Sequence, residues 1–121
     1  MSRLIKSFKY AGQGLKHCIR KEKNFQLHCI AGIMAILIGI VLKISDKEWI
    51  LIVISIALVL AFEMVNTAIE HICNLIQPGF NSLIKIIKDV SAGAVLIIAL
   101  MAAVCGSIIY IPKILAIFQN I

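Results

Sequence analysis

Long apolar runs separated by short polar segments dominate this chain, and the pattern predicts four helices. The first stretch repeats with a helical period, placing Leu4, Phe8 and Leu15 on one side and lysines on the other. Three apolar runs follow, each long enough to cross about 30 Å of hydrocarbon. The predicted elements are residues 3–21, 24–43, 48–76 and 90–112. We therefore expect an all-α integral membrane protein of one domain, with an N-terminal amphipathic surface helix and three transmembrane helices.

Two polar segments separate the predicted spans. Residues 43–48 form a short turn, and Gln77-Pro78-Gly79 ends the second run. Residues 80–89 are predicted to be a polar connector to the third run. The basic N-terminal segment belongs on the cytoplasmic side by the positive-inside rule, so the 77–89 loop is expected there too.

Composition agrees with a membrane protein and excludes an ordinary soluble domain. Hydrophobic residues make up 61% of the chain and charged residues only 15%, against about a quarter charged in soluble proteins. The net charge is +6, and most of the basic residues lie near the N-terminus. Without interleaved aromatic residues or a known module, this charge indicates anionic lipid headgroups as the partner and not nucleic acid.

A polar face interrupts the second apolar run. On a helix, Glu63, Asn66, Glu70 and Asn74 fall at about 0°, −60°, −20° and +20°, so they share one side. A charge at bilayer depth costs at least ~2.5 kcal/mol and needs a partner, a cavity or a metal. This face is therefore the predicted functional site.

The same topology brings other charged residues to the cytoplasmic level of this face. Glu22, Glu70 and Asp89 offer carboxylate oxygens, which Mg²⁺ uses when it also holds phosphates. Lys88 is a compact cation suited to phosphate oxygens. Glu63 lies about 10 Å deeper along the helix than Glu70, where a buried carboxylate can act as a general base.

Other interpretations of these residues remain open from the pattern alone. Glu63 and Glu70 are also compatible with structural carboxylates paired with a lysine, and Glu22 with a solvated ion pair. Glu63 would equally suit an ion-coupled transporter, and a non-catalytic membrane subunit is a third alternative. Phosphate-loop and protein-kinase signatures are absent from the sequence. The histidines show no ligand spacing and are expected to be interfacial or hydrogen-bonded: His17, His28 and His71.

Specific motifs in the chain resemble the prokaryotic diacylglycerol kinase family. Residues 63–70 follow the pattern E-x-x-N-[ST]-A-I-E, and Lys88-Asp89 and residues 92–96 follow at matching distances. Residues 22–28 resemble the N-terminal motif of the branch that phosphorylates undecaprenol. The resemblance covers essentially the whole chain.

This resemblance implies a homotrimer in the bacterial cytoplasmic membrane, with multi-pass subunits whose N-termini are cytoplasmic. It also implies transfer of the γ-phosphate of ATP, with Mg²⁺ as cofactor, to a lipid hydroxyl. The expected acceptor is undecaprenol, whose phosphate carries cell-wall precursors; the alternative is diacylglycerol, giving phosphatidic acid. The small residues at 92–95 suggest a narrow groove for a polyprenyl chain.

The resemblance further assigns roles to individual residues. It makes Glu63 the catalytic base, and Glu22 and Glu70 the metal ligands. The residues implied to bind ATP are Arg3, Tyr10, Glu22, Asn66, Glu70, Lys88 and Asp89. The family usually has an aspartate at position 74, where this chain has Asn74. An amide oxygen can still accept, but the lost charge weakens any role of Asn74 in holding Mg²⁺.

Overall fold

A computed structural model describes residues 2–121, and that part of the chain is helical apart from short connections. The helices are α1 (Arg3–Lys21), α2 (Lys23–Leu42), α3 (Asp46–Ile76) and α4 (Ser82–Gln119). The last three are each long and apolar enough to cross a membrane. The predicted all-α architecture with three such helices is confirmed, and the chain is a multi-pass membrane protein.

A single residue, Glu22, joins α1 to α2. Its extended backbone (φ −103°, ψ 108°) ends one helix and begins the next. The Glu22 N–H donates to the Cys18 carbonyl at 3.0 Å, and Gln26 Nε2 donates to the Ile19 carbonyl at 2.8 Å. These bonds satisfy carbonyls at the end of α1 that lack helical partners. The Glu22 side chain makes no capping bond, so the corner leaves its carboxylate available.

The turn between α2 and α3 uses residues suited to its geometry. Lys43 adopts the left-handed region at φ 52°, and the Ile44 N–H returns to the Gly39 carbonyl at 3.3 Å. Ser45 and Glu48 then form a reciprocal capping box at the start of α3. The long helix carrying the polar face therefore begins at a fixed point.

Helix α4 begins earlier than predicted. The Asn81 side chain accepts from the N–H groups of Leu83 and Ile84 at 2.9 and 3.2 Å, which caps the helix from Ser82 onward. The expectation of a polar connector over 80–89 is therefore wrong from Ser82. The helix also continues through Pro112 to Gln119, although an interior proline removes one N–H donor and costs about 3 kcal/mol.

The three long helices are joined at the end that carries the α2–α3 turn. Tyr110 donates its hydroxyl to the Ala35 carbonyl at 2.7 Å, and Lys113 pairs with Glu48 at 3.2 Å. A small core of Ile44, Ile52 and Ile109 packs beside these contacts. From this end, a cavity of about 610 Å³ runs between α2, α3 and α4 as far as His28.

Candidate active site

The inner part of the polar face of α3 is buried, whereas Glu70 is half-buried and Asn74 is exposed. Glu63, Asn66 and Thr67 are each 5–6% exposed, although most large apolar side chains of the chain are exposed. The Asn66 Nδ2 donates to Glu70 Oε1 at 3.1 Å, so the amide links the buried part of the face to its outer carboxylate. The structure therefore brings Glu63, Asn66 and Glu70 together, as the helical spacing predicted.

One atom of this face lacks a partner. The Asn66 Oδ1 is buried and accepts no hydrogen bond from the described residues. An unsatisfied buried acceptor costs about 1–3 kcal/mol, so native proteins usually fill such a position with water, an ion or a ligand group. Asn66 therefore offers an oxygen acceptor within the candidate site.

Glu63 contacts an imidazole from the neighbouring span. His28 Nε2, on α2, lies 3.4 Å from Glu63 Oε1. His28 also lines the apolar cavity, so it connects that cavity to the buried carboxylate. Among residues 2–121 of one chain, no lysine lies within ion-pair distance of Glu63 or Glu70. Sequence reasoning missed the His28–Glu63 contact because no spacing links residues 35 positions apart.

Glu22 lies beside two further histidines. His17 Nε2, on α1, is 3.9 Å from Glu22 Oε1, and His71 Nε2, on α3, is 3.5 Å from the same oxygen. This contact places Glu22 against the part of α3 that carries Glu70. The expected convergence of the N-terminal motif with the second span is present, but the two histidines at that point were not foreseen.

The thiol of Cys18 lies buried beneath this region. Burial raises the pKa of the Cys18 thiol, and the nearby carboxylates of Glu22 and Glu63 raise it further. The thiol is therefore neutral at pH 7, and a neutral thiol is a poor nucleophile and metal ligand. The chemistry available here comes from oxygen and imidazole groups.

Lys88 and Asp89 are adjacent in sequence but have different partners. Lys88 Nζ donates to Asn74 Oδ1 at 2.5 Å, joining α4 to the end of α3. Asp89 pairs with the exposed Lys85 one turn earlier on α4. The structure thus brings Lys88 to the polar face through Asn74, whereas Asp89 has its partner on α4. The amide oxygen of Asn74 is occupied by an ammonium group, which leaves it poorly placed for a metal.

Arg3 and Tyr10 lie far along α1 from Glu22 of their own chain. Both are exposed on α1, and the helical rise puts them about 28 and 18 Å from Glu22 along the axis. The structure does not bring these two predicted nucleotide contacts to the Glu22 corner.

The fold and site together define a class of protein. A buried carboxylate adjoins an apolar cavity within a membrane bundle, and carboxylates with a lysine lie nearer the helix ends. Such a layout suits group transfer between a water-soluble donor and a membrane-embedded acceptor, and it fits a membrane phosphotransferase.

Comparison with known proteins gives the family. The family model "Prokaryotic diacylglycerol kinase" matches residues 9–110. The chain is 37% identical over 113 residues to an undecaprenol kinase of Bacillus subtilis (strain 168), covering 93% of this chain and 92% of that protein. It is 31% identical over 114 residues to a diacylglycerol kinase of Synechocystis sp. (93% and 65% covered). The corresponding Escherichia coli (strain K12) enzyme is 29% identical over 108 residues (89% and 88% covered).

The chain therefore belongs to the prokaryotic diacylglycerol kinase family, and it is a membrane lipid kinase. Family membership implies ATP as the phosphate donor and a lipid as the acceptor. It does not favour the alternatives of an ion-coupled transporter or a non-catalytic subunit.

Proposed function

We propose that this protein is an Mg²⁺- and ATP-dependent undecaprenol kinase of the bacterial cytoplasmic membrane. Its product, undecaprenyl phosphate, would serve as the lipid carrier for cell-wall precursors. The observation that carries the mechanism is the buried Glu63, which His28 connects to the apolar cavity. The choice of acceptor is supported by the 37% identity to an undecaprenol kinase over nearly the full length of both chains.

In the proposed reaction, Glu63 is the general base. Its carboxylate takes the proton of the lipid hydroxyl while the oxygen attacks the γ-phosphorus of ATP. The bond from that phosphorus to the β–γ bridging oxygen breaks, and ADP leaves. Transfer in this proposal is direct and in line, and the Cys18 thiol is not used as a nucleophile because it is buried with a raised pKa.

The donor atoms near Glu63 suit a hard divalent cation. Glu22 and Glu70 provide carboxylates, and the unpartnered Asn66 Oδ1 offers a neutral oxygen; Mg²⁺ takes such oxygen ligands. We assign Glu22 and Glu70 as the residues that hold it. Bound there, Mg²⁺ would neutralise charge on the phosphate oxygens. Asn74 is not assigned to the metal, because its oxygen accepts from Lys88.

Nucleotide binding in this proposal involves residues on three helices. Asn66 and Lys88 lie nearest the phosphates, and Lys88 can contact phosphate oxygens by exchanging its bond with Asn74. Asp89, Arg3 and Tyr10 are assigned to the rest of the nucleotide. Since α1 carries the last two residues well away from its own Glu22, their role requires ATP to extend along α1 or a neighbouring α1 to contribute. A homotrimer would supply that neighbour.

The proposed membrane placement follows from the distribution of charge. The lysines and arginines of α1 are exposed, so α1 is placed on the cytoplasmic surface as an amphipathic helix, with the N-terminus on that side. Residues 24–43, 48–76 and 90–112 are the proposed spans of a single membrane domain. Glu63 then lies below the cytoplasmic interface.

The cavity offers room for an isoprenoid chain. Most residues of its α4 wall are small, among them Ala99, Ala103 and Gly106, and its polar contribution near Glu63 is His28. These small residues lie further along α4 than residues 92–95, where the sequence suggested a groove. Polyprenyl chains have no large headgroup beyond the hydroxyl, so a hydroxyl at His28 would place the chain inside the cavity.

The test is transfer of labelled phosphate from ATP in mixed micelles, with undecaprenol and diacylglycerol compared at equal mole fraction. We expect undecaprenol to be preferred. Glu63→Gln should lower kcat by about 10²–10⁴-fold, the usual contribution of a general base, and leave ATP affinity within twofold. Asp46→Asn is the matched control, because Asp46 lies in the first turn of α3, about 25 Å along the helix from Glu63.

Three outcomes would contradict parts of this proposal. Preference for diacylglycerol would refute the acceptor and keep the lipid kinase mechanism. Substantial kcat in Glu63→Gln would remove Glu63 as the base. Labelling of neither lipid by the wild-type protein would refute the proposed function.

A further inference from the structure

Outside the predicted oxygen ligands, the structure assembles a group of a different chemical character. His17, Glu22 and His71 come from α1, the α1–α2 corner and α3, and their ligand atoms all lie within 4.8 Å of one another. The imidazole rings are 5.6 Å apart at an interplanar angle of 64°. Both Nε2 atoms approach the same oxygen, Glu22 Oε1. We infer that this cluster is a binding site for a transition-metal ion of the Zn²⁺ class.

The distances are close to those of a tetrahedral zinc site. With metal–ligand bonds of about 2.0–2.1 Å, tetrahedral ligand atoms are about 3.3 Å apart. The observed separations from Glu22 Oε1 are 3.5 Å for His71 and 3.9 Å for His17. Side-chain rotations would close this difference, and the two imidazoles have room to turn because they are 61% and 51% exposed. Two imidazoles, one carboxylate and an open fourth position form a donor set found in zinc proteins.

Selectivity follows from the donor atoms. Imidazole nitrogen suits Zn²⁺, Cu²⁺ and Ni²⁺, whereas Mg²⁺ prefers oxygen alone. The Cys18 thiol is buried and is not one of the three ligand groups of the cluster. Glu22 can therefore belong to two different ligand sets. With His17 and His71 it favours a transition-metal ion, and with Glu70 it favours Mg²⁺.

The consequence for catalysis rests on the proposed function. If Glu22 holds Mg²⁺ during phosphoryl transfer, a transition-metal ion on Glu22 Oε1 withdraws that ligand. Zinc then inhibits the kinase in competition with Mg²⁺, and inhibition depends on His17 and His71. Neither histidine is needed for the phosphoryl transfer described above.

Binding is tested on the full-length protein in detergent micelles, prepared without a polyhistidine tag. Co²⁺ serves as the spectroscopic probe. We expect tetrahedral d–d absorption, displaced by one equivalent of Zn²⁺. His17→Ala and His71→Ala should each weaken binding by about tenfold or more, since even outer-shell substitutions cost 10–100-fold. His28→Gln is the matched control, because it removes the third histidine and leaves the cluster intact.

The spectrum decides the site independently of activity. Equal Co²⁺ affinity in wild type, His17→Ala and His71→Ala would overturn the proposal, and circular dichroism verifies that the variants keep their helices.

A second experiment measures the zinc concentration that halves phosphate transfer. This concentration should rise about tenfold in both variants and rise with added Mg²⁺. If zinc binds but the zinc concentration that halves phosphate transfer does not change with added Mg²⁺, competition between the two ions is refuted. If the wild type binds Co²⁺ but transfers no phosphate, the site stands and the proposed function fails.

Discussion

The contact between His28 and Glu63 leads to a quantitative prediction about the catalytic base. His28 Nε2 lies 3.4 Å from Glu63 Oε1, and the Glu63 side chain is 6% exposed. A well-formed hydrogen bond to a charged group contributes about 1.5–3 kcal/mol, and because this contact is longer than such a bond, we expect at most the lower end of that range. A loss of about 1.5 kcal/mol corresponds to about tenfold in rate. We therefore expect His28→Gln to lower kcat about tenfold and leave the KM for ATP unchanged.

A double-mutant cycle separates this positioning role from a role in lipid binding. The rate of phosphate transfer is measured for wild type, His28→Gln, Glu63→Gln and the double variant at saturating lipid. If His28 acts by orienting the Glu63 carboxylate, its substitution should change the already slow rate of Glu63→Gln by less than twofold. Cys29→Ala is the matched control, because Cys29 is the next residue along α2 and does not line the cavity.

Two results would refute this reasoning. A tenfold loss from His28→Gln in both backgrounds would show that the imidazole acts independently of Glu63. A rise in the KM for lipid with unchanged kcat would assign His28 to the cavity, which it also lines, and remove it from proton transfer.

Two further predictions concern the metal and the packing of the bundle. Glu70→Gln should raise the Mg²⁺ concentration needed for half-maximal activity by about tenfold or more, since it removes a proposed charged ligand; an unchanged metal titration would exclude that role. Gly39→Ala should lower the free energy of unfolding by about 1–3 kcal/mol, because its new methyl group would lie 2.8 Å from the Trp49 ring. Gly106→Ala meets no atom within 4 Å and should cause no loss, which denaturation in mixed micelles would measure.

Helical periodicity and hydropathy predicted the features that depend on a single helix. The shared face of Glu63, Asn66 and Glu70 follows from 3.6 residues per turn, and the three long helices follow from apolar run length. Each of these properties is local, so a sequence records it directly. The early start of α4 was also recorded locally, in the capping residue Asn81, but the charges that follow it suggested a connector instead.

Contacts between helices could not be predicted in the same way. The approach of His28 to Glu63 depends on the rotation of α2 against α3, and that of His71 to Glu22 depends on the corner between α1 and α2. No periodicity specifies either angle. The motif spanning residues 22–28 was the one sequence signal for these contacts. It contains both Glu22 and His28, but it does not indicate which residues of α3 they contact.

The depth of Glu63 is itself an argument for catalysis over structure. Placing a carboxylate in an apolar span costs at least ~2.5 kcal/mol, and the described residues offer it one imidazole that is 30% exposed and no lysine. An apolar residue in place of Glu63 should make the fold more stable, because the attraction within a buried ion pair often fails to offset the cost of desolvating its charges. Asn66 adds to the cost with its unpaired buried oxygen. Two adjacent turns of α3 thus carry polar groups that their own chain satisfies incompletely. Bound substrate and metal would provide the missing partners of these polar groups. The apolar cavity beside His28 would let a lipid hydroxyl reach Glu63.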